Sequence, residues 1–77
     1  MHRRIIKTAK VRIVDSHVGD IVNRNPDAEK GWFQVAEIKT LFNGDLQLAD
    51  ETSYITITGG DNDLIGVQFA QLIEVPG

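Results

Sequence analysis

With 77 residues, 42% hydrophobic and 25% charged, the chain has the composition of one globular domain rather than of a disordered segment. It contains no cysteine, which excludes disulfides and thiolate metal sites. A domain this small buries only about 60% of the surface its unfolded chain exposes, so self-association is the remaining prop for its core. The formal charge of −3 combines two unlike parts. Arg3, Arg4, Lys7, Lys10 and Arg12 are five of the eight bases, whereas beyond residue 12 eleven acids face only Arg24, Lys30 and Lys39, a net of −8.

The basic start is followed by a short apolar pair, Ile5-Ile6. A secretory core needs about 7–15 apolar residues and a membrane span about 20, so a cytoplasmic protein is expected. Residues 1–12 are read as a basic arm, solvated and outside the body, and residues 13–77 as a single domain.

From Lys10 onward, short β-branched stretches alternate with turn residues. They run Lys10–Val14, Val18–Asn23, Trp32–Phe42, Asp45–Ala49, Tyr54–Thr58, Leu64–Phe69 and Leu72–Val75. Alternation supports strands: Val11 and Ile13 flank Arg12, Ile55 and Ile57 alternate with Tyr54, Thr56 and Thr58, and Ile65, Val67 and Phe69 share one face. Within Trp32–Phe42 the apolar phase changes, from odd (Phe33, Val35) to even (Ala36, Ile38, Phe42), so this strand must bend, bulge or be buried on both sides. Asn43-Gly44 marks a tight hairpin, because both residues tolerate φ > 0. A three-residue loop, Phe42-Asn43-Gly44 with Gly44 left-handed, is favoured over a two-residue one because it sets Ile38 opposite Leu48. The expected fold is all-β: a small, strongly bent antiparallel barrel of five to six strands with a short helical turn near the C-terminus.

The segment His17-Val18-Gly19-Asp20-Ile21-Val22 resembles the opening strand common in Src-homology-3-like small barrels. The polar loop Asn23–Lys30, the long strand and the tight turn after it continue the resemblance. The ending, Val67 to Val75, is similar to the short helical turn and closing strand of these domains. The resemblance covers residues 17–75 and implies a fold, since that superfold hosts unrelated activities. The small number of aromatics departs from the proline-peptide readers of the class. Small size and an acidic body are also typical of phage and plasmid accessory proteins.

Trp32 and Tyr54 are the leading candidates for contact with a partner protein, together with Gln34 and Thr56 on the same strands, because Trp and Tyr dominate binding hot spots. The competing reading has Trp32 covering one end of the barrel, its indole N–H on a carbonyl or water. Arg3, Arg4, Lys7, Lys10 and Arg12 form an alternative, nucleic-acid-binding surface, since each cation on a phosphate releases a counterion. Asp61 and Asp63 crowd carboxylates into one loop, but Leu64-Ile65 follow where calcium loops supply further oxygens, so a hairpin loop is expected there. His2 and His17 lie far apart in sequence, and Ser16 and Ser53 lack an assembled base and orienter. Neither catalysis, a metal nor a cofactor is expected. The functional expectation is a non-catalytic protein-binding accessory module, an acidic inhibitor or adaptor of a larger protein and a candidate homo-oligomer; the alternative is a nucleic-acid binder using the basic arm.

Overall fold

The computed structural model describes residues 2–74, with side chains described over residues 6–69. Among the described residues seven strands form: β1 (His2–Arg12), β2 (Ile21–Asn23), β3 (Phe33–Gln34), β4 (Glu37–Thr40), β5 (Leu46–Ala49), β6 (Thr56–Gly59) and β7 (Leu64–Glu74), with one 3-10 turn at Ile13–Asp15. They make two antiparallel sheets, ordered β1-β7-β2-β3 and β4-β5-β6. Among the described residues no ladder joins the sheets into the expected closed barrel, because the two long terminal strands pair with each other instead of bridging to the second sheet.

The long central strand bends where its apolar phase changes. Val35 donates its N–H to the Asp20 carbonyl at 2.8 Å on the β2 side, and Ala36 donates to the Ala49 carbonyl at 2.8 Å on β5. Consecutive residues thus bond to different sheets, which makes Val35–Ala36 the corner where the chain changes layer. Phe33 and Val35 are buried before the corner and Ile38 packs against the core after it. Phe42 does not follow the even phase inward. It stands fully exposed in the β4–β5 turn, because the hairpin closes first, with Leu41 N–H on the Asp45 carbonyl at 2.7 Å. That turn has the three-residue form: Ile38 pairs with Leu48, Thr40 with Leu46, and Gly44 has φ +91°.

Ile13, Val22, Phe33, Val35, Leu48, Ile57 and Ile65 form one core between the sheets, with Val11, Ile38, Leu46 and Val67 packed around it. Of the aliphatic pair in the fifth stretch, Ile57 is buried, whereas Ile55 precedes β6 and stays exposed. On the outer side of the first sheet, the loop after β2 lies so close to β7 that a Cβ on Gly66 would sit 2.5 Å from Pro26 Cα. Asn23 holds this loop, its Nδ2 donating to the Lys30 carbonyl at 2.8 Å and its Oδ1 accepting the Asn25 N–H at 2.9 Å.

Two further expectations need correction. The basic segment does not hang free: residues 2–12 are β1, paired with β7 from His2↔Glu74 to Arg12↔Leu64. Among the described residues no helical turn forms near the C-terminus, since Leu64–Glu74 is one continuous strand, and the 3-10 turn falls at Ile13–Asp15 instead. Both follow from one non-local pairing, in which each end of the chain supplies the other's backbone partners. β2 pairs with β7 only at Gly66, Val67 and Gln68. Residues 2–7 and 69–74 therefore leave the body as a two-stranded ribbon, about 20 Å long at 3.4 Å per pair.

Candidate functional site

The corner between the sheets creates a groove of about 410 Å³. Val18 and Gly19, from the turn before β2, line one part of it, Phe33 to Ala36 another, and Asp50 and Glu51, after β5, a third. Phe33 and Val35 are core residues, whereas Val18 is 63% exposed. The size lies within the range of ligand pockets, about 300–1,000 Å³.

Local bonding fixes each part. Asp20 accepts the His17 N–H on Oδ2 at 2.9 Å and donates its own N–H to the His17 carbonyl at 3.1 Å, closing the turn that presents Val18. Gly19 N–H donates to the Val35 carbonyl at 2.8 Å, locking this turn to the corner. With these amides already bonded, the apolar part of the groove offers a ligand mainly side-chain surface.

Asp50 organises the opposite part. Its Oδ1 accepts the Thr52 hydroxyl at 2.7 Å, the Thr52 N–H at 3.2 Å and the Ile55 N–H at 3.4 Å. Its carbonyl accepts the Ser53 N–H at 3.1 Å, in a turn where Ser53 has φ +64°. The Thr52 hydroxyl bond, with backbone N–H groups adding to it, holds the Asp50 carboxyl below its ordinary value of 3.8. All three side-chain bonds fall on Oδ1. With exposed Glu51 beside it, this part of the groove carries two carboxylates next to apolar surface. Chemically, the arrangement suits an apolar side chain accompanied by a cation.

The residues singled out from the sequence are spread over the fold. Trp32 is half-buried, and its Nε1–H donates to the Ala28 carbonyl at 2.7 Å, closing the loop after β2. Tyr54 is 92% exposed in the β5–β6 turn, and Thr56 is exposed at the start of β6. Gln34 lines the groove and donates its amide to the Gly19 carbonyl at 3.3 Å. Of these four, only Gln34 is among the groove-lining residues.

Of the basic residues, Lys7, Lys10 and Arg12 are exposed along β1, with Arg12 Nε 3.1 Å from Asp15 Oδ2. Arg3 and Arg4 lie on β1, outside the described side chains. Asp63 closes the β6–β7 turn, its Oδ2 accepting the Gly60 N–H at 2.9 Å. Among the described residues no three His, Asp or Glu side chains are grouped so as to hold a metal, and no helix is long and apolar enough to cross a membrane.

Sequence reading missed Val18, Phe33, Val35, Asp50 and Glu51 as a group, because they come together only at the corner. The nearest signals were the Val18-Gly19-Asp20 turn and the polar run Asp50-Glu51-Thr52-Ser53. Comparison with protein-family models, curated proteins and solved structures finds no match to this chain.

Proposed function

We propose that the chain is a non-catalytic protein-binding module whose groove receives an extended segment carrying apolar and basic side chains. The observation supporting this is the juxtaposition of Val18, Phe33 and Val35 with Asp50 and Glu51 around one open groove. The charge of the body points to the same partner: residues 13–63 carry ten acids against three bases, a net of −7. Such a surface attracts basic segments and disfavours acidic ones. An inhibitor or adaptor acting on a larger, basic protein fits these features.

The test is fluorescence anisotropy with a labelled peptide alternating Lys with Phe and Ile, beside a counterpart with Glu in place of Lys. Binding of the basic peptide alone, weakened by salt and about tenfold by Glu51→Lys or Val18→Asp, is the expected result. Equal binding of both peptides, or indifference to both substitutions, contradicts the reading.

A second reading is favoured by one observation. The projecting ribbon, residues 2–7 and 69–74, holds three bases and one acid, a net of +2, and Lys10 and Arg12 extend the basic run along β1 to the body. A two-stranded ribbon has dimensions that the DNA major groove admits. Removing residues 1–12 would delete β1, so the proper test neutralises Lys7, Lys10 and Arg12 to Gln and measures duplex binding by gel shift. Loss of a salt-sensitive complex supports nucleic-acid binding, and an unchanged shift rejects it.

A further inference from the structure

We propose that the ribbon of one copy docks in the groove of a second copy, with the Lys7–Phe69 pair as the inserted element. This rests on the groove being a site for apolar-cationic segments, and it names the segment: a part of the same chain.

The ribbon carries an unfinished surface. Directly paired residues of antiparallel strands share a face, so Ile65, Val67 and Phe69 lie on one side of β7, with Val11, Ala9 and Lys7 opposite them on β1. Ile65 is buried and Val67 packs on the core, but Phe69, one step further out, is 47% exposed. The apolar stripe that lines the core thus runs on past the body, and its last described pair joins an aromatic ring to an exposed Lys7. Ile6, on the other face, is 65% exposed. An isolated two-stranded ribbon is marginal in water, so cover on such a face favours its order.

The groove offers the complementary chemistry. Exposed Val18, backed by the nearly buried Phe33 and Val35, presents the apolar surface for Phe69, and Asp50 and Glu51 present carboxylates for Lys7. At the scale of whole elements the match is repeated, five bases and one acid over β1 and β7, a net of +4, against −7 on residues 13–63. Pairing β1 edges across a two-fold axis would instead bring two strands of five cations each together, a contact that charge opposes. Ribbon into groove joins unlike surfaces, so two copies that exchange ribbons reciprocally close as a two-fold dimer, and one-way docking propagates head to tail into rings or chains.

The experiment is multi-angle light scattering of the full chain across concentration at low and high salt, with Lys7→Glu, Glu51→Lys and their mixture. Expected for the wild type is a mass rising above 8.5 kDa with concentration at low salt and falling back with added salt. Each variant alone weakens association about tenfold or more, because a like-charge contact replaces an opposite one. Mixing the two restores a complex, since the Lys7→Glu ribbon then meets the Glu51→Lys groove with the two charges exchanged. A wild type that stays at 8.5 kDa throughout, variants that associate like wild type, or a mixture that fails to associate overturns the proposal. So does assembly that appears only with added duplex DNA, which would make the ribbon a nucleic-acid contact. The basic peptide, titrated in parallel, separates the two levels: peptide binding by a monomeric chain removes self-docking and keeps the groove reading, whereas absence of peptide binding by a monomeric chain removes both.

Discussion

Gly66 shows how closely one residue couples the loop after β2 to the sheet. Any side chain there meets Pro26 backbone at 2.5 Å, so Gly66→Ala must push the loop off β7. A loss of about 1–3 kcal/mol is expected, as for overpacking elsewhere, measured by urea unfolding. Leu48→Ala, at a fully buried position, should lose about 2–5 kcal/mol in the same assay. Asp50 gives a pH signature. Its carboxyl is held below 3.8 by the Thr52 and backbone hydrogen bonds, so its contribution to the turn is complete above that value and is lost as pH falls through the lower folded value. The Thr52 and Ile55 amide resonances should therefore report a transition below pH 3.8, absent in Asp50→Ala. A transition above that pH contradicts the assignment. At this scale the sequence was legible where chemistry is local. Asn43-Gly44 imposes its turn through backbone sterics, and the structure shows the three-residue form with Ile38 opposite Leu48. Trp32 was harder to read, because its indole N–H finds the Ala28 carbonyl through a loop conformation that no local pattern encodes.

Among the elements, the bend of the central strand was visible as a change of apolar phase, and it is this bend that builds the groove. The ribbon was hidden. Ala70-Gln71 interrupts the alternation and splits β7 into two apparent pieces, and β1 carries five bases, so neither segment reads as one long strand. Their strand character comes from a partner at the opposite end of the chain, which propensity cannot see. Pairing without a third strand also sets local stability. In dilute, high-salt solution the amides of residues 2–7 and 69–74 should exchange much faster than those of 9–12 and 64–67, near the core. Uniform protection along both strands would mean that the ribbon is already covered in the monomer.

On the scale of the whole molecule, the ribbon governs shape. A compact chain of this length has a radius of gyration of about 11.5 Å. The observed value is 14.1 Å, with a long axis of 54 Å against 25 and 20 Å. Small-angle scattering at high salt should return about the larger radius for a monomer, and the compact one would deny a projecting ribbon. Length and composition pointed to a single small β-domain with a marginal core, but not to whether its sheets close. Closure depends on where β1 and β7 travel after leaving the core, and they run outward together.

The central claim, a groove that takes an apolar and cationic segment, is tested most directly by amide chemical-shift mapping. Titrating the Lys-Phe-Ile peptide into the isotopically labelled chain should move the resonances of Val18, Gly19, Val35, Ala36 and Glu51 together, with the effect lost in Glu51→Lys. Shifts confined to β1 and β7, or a spectrum that does not change, would contradict it.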